Sequence, residues 1–164
     1  GVTIPTLRHY FGGRQDVIRA VFGDWHARGA AELAAVATAD GPLRRSIRRA
    51  LEHTASGLEA TPLNRMLAVG LAEGLVAPAA AEAFLTELLE PSLVALERRL
   101  AAHIARGELR GVDARIGALL LLAPLILAAQ HQFSLGGRAL RPLSLRRLVR
   151  SSVDGFVRAY GVAG

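Results

Sequence analysis

The 164-residue chain contains no cysteine and no lysine. The absence of cysteine excludes disulfides and thiolate metal sites, and it is consistent with a reducing cytosol. All 20 basic residues are therefore arginine and, set against 14 Asp and Glu, they give a formal net charge of +6. A basic chain suits an anionic partner such as nucleic acid, although charge alone does not identify that partner.

Signals for β-strands and for membrane insertion are also scarce. Alternation of apolar and polar residues is rare along the chain. The longest apolar run, residues 116–129, is shorter than the roughly 20 residues that cross a bilayer, and Pro124 interrupts it. No signal peptide is visible at the start. We therefore expect a cytoplasmic protein that has no membrane partner.

Apolar residues recur at steps of three and four, which predicts an all-α protein. Glycine and proline mark the ends of the helices, and Asp113 and Ser144 are predicted N-caps. The predicted helices cover about 4–11, 14–37, 43–60, 62 to 74 or 75, 78–106 with a kink at Pro91, 114–135 and 145–160.

The segment 3–11 is the most informative part of the chain. Thr3 can cap a short helix, and Pro5 falls in the first turn, where a missing N–H costs little. Small, hydroxylic and basic groups at the N-terminal end of such a helix suit the major groove of DNA. From the pattern alone, an ordinary amphipathic surface helix is the alternative.

The run from Val2 to Arg14 resembles the recognition helix of TetR-family transcriptional regulators, together with the start of the helix that follows it. Residues 38–164 resemble the regulatory domain of that family more loosely, and the resemblance is clearest over 61–136. Arg8 stands where the family usually has Tyr, and Gly13 replaces its usual Ser cap. The matching positions are Val2, Thr3, Thr6, Leu7, Tyr10, Phe11, Gly12, Arg14 and Asp16.

The resemblance implies a ligand-responsive repressor that reads a palindromic operator in double-stranded DNA as a homodimer and is released by a small apolar effector. Residues 1–37 would be the remnant of a DNA-binding head and its connecting helix, and 38–164 the domain for effector binding and dimerisation. The head would be partial, because the chain starts at Gly1 and only the reading helix of the helix-turn-helix is present. DNA contact would come from Thr3, Pro5, Thr6, Arg8, His9, Tyr10 and Arg14.

Residues 119–127 predict a helix that is apolar around its whole circumference, so it must be covered on all sides. Burial against a second subunit meets this need, and two-fold pairing is the commonest arrangement. The resemblance places the dimer contact in the last two helices. The alternative is the central helix of a monomeric bundle. The predicted interface residues are Leu121, Leu125, Leu148 and Phe156.

Large or polar residues among the apolar helices are candidates for lining the effector pocket, although core packing is an alternative role for each. A block of four arginines, Arg44, Arg45, Arg48 and Arg49, is either a solvated face or a phosphate-binding patch. The candidate pocket residues are Trp25, Asn64, Met66, Phe84, Leu88, Gln130 and His131.

Enzymatic chemistry finds no support in the sequence. The five histidines lack the spacing of metal ligands, and neither a nucleophile elbow nor a phosphate-binding loop is present. We therefore expect no catalytic residue, no metal and no cofactor. The main rival to the regulator is a helical small-molecule-binding or adaptor domain that never reads DNA.

Overall fold

The computed structural model describes residues 13–162, and within this range all regular structure is helical. The one β-type contact among these residues is an isolated antiparallel bridge between Leu109 and Gly161. The all-α prediction is confirmed, whereas the short helix predicted over 4–11 lies outside the described residues. The helices are α1 (Arg14–Arg28), α2 (Ala30–Ala37), α3 (Leu43–Ala60), α4 (Leu63–Gly74), α5 (Pro78–Phe84), α6 (Glu90–Ala105), α7 (Ala114–Ala129), α8 (Gly137–Leu140) and α9 (Leu145–Tyr160).

Helix starts follow the predicted capping residues. The Asp113 carboxylate accepts from the backbone N–H of Ile116 at 3.0 Å, and the Ser144 hydroxyl accepts from that of Arg147 at 3.3 Å. Each cap satisfies an N–H group that has no partner inside its own helix. Local sequence is therefore sufficient to place the starts of α7 and α9.

The single helix predicted over 14–37 is divided at Gly29. The Gly29 N–H donates to the carbonyl oxygens of Trp25 and His26 at 2.9 and 3.1 Å, which tightens the last turn of α1. A Cβ at this position would lie 3.2 Å from the Trp25 carbonyl oxygen. The prediction of a continuous helix was wrong here because apolar periodicity continues across a glycine that weakens the helix locally.

The irregularity expected at Pro91 lies just before it, as a π-helical turn over Leu85–Leu89 that connects α5 to α6. Proline cannot donate to the carbonyl four residues earlier, so the preceding backbone widens instead of continuing as a regular α-helix. A second π-helical turn, Gln130–Ser134, extends α7. The first of these turns forms part of the wall of a cavity.

The core lies where α7 packs against α6, and where α9 packs against both α3 and α7. Leu100, Leu121, Leu125 and Val153 are almost wholly buried there. The stretch Ala114–Ser134 is long and apolar enough to cross a membrane, but half of its most apolar window is buried against the rest of the chain. That burial is what a core helix requires.

Candidate ligand cavity

A cavity of about 490 Å³ lies between α1, α2, α3 and the segment that contains the first π-helical turn and α6. Small-molecule sites in proteins typically occupy about 300–1,000 Å³ and are mostly apolar. Residues from both sides of the predicted boundary at residue 37 contribute to it. The apolar lining consists of Trp25, Leu33, Val36, Leu51, Leu63, Leu88, Pro91, Leu96 and Leu122.

Two local features of the sequence leave room for the cavity. Gly29 and Gly57 line it without side chains, so α1, α2 and α3 surround space where larger residues would project. The π-helical turn over Leu85–Leu89 contributes both Glu87 and Leu88 to the lining. Such turns occur frequently at functional sites, because they change the direction of side chains within a helix.

Two histidine–glutamate pairs supply the polar contacts between elements around the cavity. His26 Nδ1 lies 2.8 Å from Glu87 Oε2, which links α1 to the π-helical turn. His53 Nε2 lies 2.7 Å from Glu32 Oε2, which links α3 to α2. All four side chains are between one third and two thirds exposed, so they form a rim in contact with solvent.

Two hydroxyl groups in the lining, those of Thr54 and Ser92, donate to backbone carbonyls four residues earlier. Thr54 Oγ1 donates to the Ala50 carbonyl at 3.1 Å, and Ser92 Oγ donates to the Leu88 carbonyl at 3.0 Å. Because a hydroxyl has one donor and two acceptor lone pairs, these groups present acceptors to the cavity. Together with the rim carboxylates, they make the cavity rich in acceptors.

Arg28 also contributes to the lining, but its guanidinium is held from outside the cavity. Its Nε and Nη2 contact the two carboxylate oxygens of Asp24 at 3.0 and 2.8 Å. Asp24 is not among the lining residues. The positive charge of Arg28 is thus matched by a carboxylate on the solvent side of α1.

A buried arginine fixes the C-terminal end of α2. Arg99 Nε donates to the Val36 carbonyl at 2.7 Å, and its Nη2 donates to the Ala35 carbonyl at 2.8 Å. A cation is favourable at the end of a helix, where carbonyl groups have no partner. Burial lowers the pKa of Arg99, while Asp40 raises it, and the guanidinium stays charged at neutral pH.

The same arginine connects to a buried histidine through Ser46. Arg99 Nη1 donates to Ser46 Oγ at 2.5 Å, and His103 Nε2 lies 2.8 Å from that hydroxyl oxygen. Because arginine can only donate, the Ser46 hydroxyl accepts from Arg99, and the same oxygen contacts His103 Nε2. On the other side of the ring, His103 Nδ1 contacts Glu108 Oε2. We call Arg99, Ser46 and His103 the anchor.

Two of the seven predicted pocket residues, Trp25 and Leu88, line the cavity. Asn64 and Gln130 do not, and both are hydrogen-bonded elsewhere in the fold: Gln130 Nε2 donates to Asn64 Oδ1 at 2.9 Å, and Asn64 Nδ2 donates to Ser134 Oγ at 3.0 Å. Buried amides need such partners wherever they lie. The polarity of Asn64 and Gln130 among apolar neighbours therefore reflects hydrogen bonds within the fold and not a ligand site.

The other three predicted pocket residues also lie elsewhere. Phe84 packs against Phe22 with ring centroids 6.2 Å apart, and it covers Gly70 so closely that a Cβ there would lie 2.1 Å from the ring. Met66 packs on the core. His131 lies over Gly137, and its Nδ1 accepts from Gln132 Nε2 at 2.7 Å. All three serve packing within the chain.

The residues that sequence reasoning missed are mainly the rim pairs. Leu33 and Val36 belong to the same apolar stripe as Trp25, and that stripe was the available signal for this wall. His26 and Glu87 are 61 positions apart, and Glu32 and His53 are 21 apart, so no local pattern joins them. Only the packing of α2 and of the π-helical turn brings each pair together.

Two of the predicted interface residues, Leu121 and Leu125, lie inside the core at 2 % exposure. Phe156 is also buried and packs on Tyr160, whereas Leu148 is half-buried. A partner subunit can reach only the opposite half of α7, which replaces Leu121 and Leu125 as the candidate surface. That half exposes Ile116, Leu119, Leu120 and Leu127.

Most of the predicted DNA-contacting residues, namely Thr3, Pro5, Thr6, Arg8, His9 and Tyr10, lie outside the described residues. Arg14 is described, and its Nη2 forms an ion pair with Glu73 Oε1 at 2.5 Å. Its side chain is otherwise 78 % exposed, so contact with a DNA backbone stays a prediction.

The arginine block on α3 is partly paired. Arg44 contacts Asp154 of α9, and Arg49 contacts Asp40 at 2.6 Å. Over the residues that the structure describes, no group of three or more His, Asp or Glu side chains is placed to hold a metal ion.

Similarity to known proteins supports one family. The sequence profile of AefR-like transcriptional repressors, C-terminal domain, matches residues 45–162. A solved structure from Mesorhizobium loti, assigned to the TetR family of transcriptional regulators, superposes with a TM-score of 0.76 at 15% identity, covering 96% of this chain and 80% of that one. SmeT, the repressor of the Stenotrophomonas maltophilia multidrug efflux pump SmeDEF, gives 0.65 at 21% identity, covering 97% and 74%. No curated protein matches the chain in sequence.

At these identities the solved structures show the fold, which is that of TetR-family regulators. The profile covers most of the chain and is more specific. The chain belongs to the family of AefR-like transcriptional repressors within the TetR class. Members of the TetR family are transcription factors rather than enzymes. This assignment sets aside the adaptor domain that the sequence left open.

Proposed function

We propose that the protein is a ligand-responsive repressor of the cytoplasm, which reads a palindromic operator as a homodimer and is released when a small apolar effector enters the cavity. The observation that carries this proposal is the composition of the cavity wall. Helices α1 and α2 form one side, and α1 follows directly on the predicted reading helix. A molecule in the cavity therefore contacts the element that positions the head.

The coupling depends on one fixed end and one movable end. The anchor holds the last carbonyls of α2, at Ala35 and Val36. At the other end, α1 contacts α5 through Phe22 and α4 through Arg14. An occupant that pushes on Trp25 and Leu33 would turn α1 about Gly29, where the helix is already divided. Effector and operator would then favour different positions of α1, so each would weaken binding of the other.

The proposed dimer uses the exposed half of α7, with Ile116, Leu119, Leu120 and Leu127, beside α9. On α9, Ser151, Gly155 and Ala159 follow one another at four-residue steps and are exposed or half-buried. Small residues at this spacing allow a second helix to approach closely. Two-fold pairing of α7 and α9 would form a four-helix arrangement and hold two reading helices at the fixed spacing that a palindrome requires.

The predicted division into residues 1–37 and 38–164 fits this proposal in one sense. The first part carries the reading helix and the lever, α1 with α2, whereas the second carries the anchor and the dimer surface. The cavity spans the boundary, because Leu33 and Val36 face Leu51 and Leu88 across it. An occupant of the cavity would therefore contact both parts of the chain.

The test uses the complete product of the gene and a pool of random DNA duplexes. Selection by binding should enrich a palindromic site, and Arg8→Ala should weaken that binding and reduce its salt dependence. Leu33→Trp, which fills the cavity, should release the operator in the absence of any effector. If the selection enriches no particular sequence, the proposed repressor function is wrong. If Leu33→Trp binds the operator as tightly as the parent protein, the proposed coupling is wrong.

A further inference from the structure

The charge around the cavity differs in sign from that of the chain. The protein carries a formal net charge of +6, yet the lining contains two carboxylates, Glu32 and Glu87. Arg28, the one arginine in the lining, is held by Asp24 on the solvent side. Each of the two glutamates is paired with a histidine, His26 or His53, and not with an arginine. The permanent charges that the lining presents to the cavity are therefore carboxylates, in a molecule that is basic overall.

The neutral groups in the lining favour the same kind of ligand. Thr54 and Ser92 use their protons on helix carbonyls and offer lone pairs to the cavity. Trp25 contributes an aromatic surface, which attracts cations through the negative face of its ring. Carboxylates, hydroxyl acceptors and an indole together recognise a positively charged group, while the leucine wall accepts an apolar body.

We propose that the effector of this cavity is a lipophilic cation. Its apolar body lies among Leu33, Leu51, Leu88 and Leu122, and its charged group lies at the rim beside Glu87 and Glu32. This inference depends on the proposed function, since it names the chemical class of the effector that the cavity would take. On entry the cation exchanges the contacts of His26 and His53 for its own contact with the carboxylates. The lever formed by α1 and α2 is thereby disconnected from the π-helical turn and from α3.

The decisive comparison is between two amphiphiles that share a flexible decyl chain and carry opposite charges, decyltrimethylammonium and decyl sulfate. Trp25 is the only tryptophan of the chain, so its fluorescence reports directly on the cavity. We expect the cation to bind at least ten times more tightly than the anion. Long-range attraction by a protein of charge +6 would produce the opposite order, so the result separates local from global electrostatics.

Variants show whether the rim carboxylates cause this preference. Glu87→Gln preserves the shape of the side chain and should weaken the cation by about fivefold, as expected for a partly exposed charge pair. The double variant Glu32→Gln/Glu87→Gln should remove the preference for the cation. Glu82→Gln is the matched control, because this exposed carboxylate of α5 lies outside the cavity. Leu33→Phe narrows the cavity. Any change of Trp25 fluorescence that remains in this variant measures adsorption of the amphiphile on the protein surface.

Each outcome decides a different question. If neither amphiphile changes Trp25 fluorescence, both the effector cavity and the cation inference fail. If the anion binds as tightly as the cation, the cavity stands as an effector site and the cation inference is overturned. If the cation is preferred but the double glutamine variant retains that preference, the glutamates are not the recognition element, and the inference fails as stated.

Discussion

Two polar clusters hold α1 and α2 against the body of the protein, and they differ in exposure. The anchor is buried: Arg99 and His103 are at most 1 % exposed, and every one of its contacts lies within the chain. The rim pairs, His26–Glu87 and Glu32–His53, are one third to two thirds exposed. Breaking a buried charge network costs about 3–5 kcal/mol, whereas an exposed pair contributes about 0–1 kcal/mol.

This difference in exposure separates the contacts that a ligand cannot displace from the contacts that it can displace. A ligand cannot compete with the anchor, because displacement would leave a buried charge and several carbonyl groups without partners. It can compete with the rim pairs, since water already does so. A lever with one costly attachment and weak attachments elsewhere moves at the weak ones, and Gly29 separates the His26–Glu87 pair on α1 from the anchor on α2. The predictions below test this comparison, beginning with the largest effect.

Leu121→Arg and Leu120→Arg apply the contrast between buried and exposed contacts to two adjacent residues of α7. Leu121 is 2 % exposed and Leu120 is 48 % exposed. Leu121→Arg would bury an unpaired charge and should cost more than about 4 kcal/mol, so the chain should fail to fold cooperatively. Leu120→Arg should retain the circular dichroism spectrum and yield a monomer in light scattering. A dimer of Leu120→Arg with the mass and melting temperature of the parent would remove this face from the interface.

Arg99→Met removes the central group of the anchor. It leaves the carbonyls of Ala35 and Val36 without a donor and should lower the free energy of unfolding by about 3–5 kcal/mol in urea titrations. The matched control is Arg98→Met, an exposed arginine one position earlier on α6, for which the change should stay within about 0.5 kcal/mol. Equal effects of the two substitutions would show that the anchor is not the stronger attachment.

Ser46→Ala tests the hydroxyl that links Arg99 to His103. The substitution leaves Arg99 its two carbonyl partners on α2 but removes the acceptor 2.5 Å from Nη1 and the partner of His103 Nε2. The expected loss is about 1–3 kcal/mol, as for a buried group left without its partner. An intermediate effect would support a graded network, and a loss as large as that of Arg99→Met would mean that the cluster acts as one unit.

His26→Gln tests the rim and should have the smallest effect on stability, within about 1 kcal/mol. Any loss should shrink further in concentrated salt, because exposed charges are screened. The effect of Arg99→Met should persist under the same conditions, since its contacts are shielded from solvent. Urea titrations at low and high sodium chloride make the comparison. A large, salt-independent loss in His26→Gln would reverse the roles assigned to rim and anchor.

Local sequence predicted the parts of the fold that depend on short-range chemistry. Asp113 and Ser144 marked helix starts because each accepts from an N–H three residues later, and Pro42 and Pro62 directly precede α3 and α4. Prediction was weaker where a local feature is compatible with two backbone conformations. Apolar periodicity continued through Gly29, and the disturbance caused by Pro91 fell in the turn before it. The sequence around Gly29 and Pro91 does not show how the backbone adjusts at these positions.

The sequence alone also determined the family, since the reading-helix pattern and the loosely similar body indicated a TetR-family regulator. It determined that α7 is apolar all around, but tertiary packing decided which half faces the core and which half stays exposed. Packing likewise decided that Gln130 donates to Asn64, that Arg99 holds the end of α2, and that His26 meets Glu87. The physical reason is range: capping and periodicity act within a few residues, whereas a cavity and its electrostatics arise from groups that only the folded chain brings together.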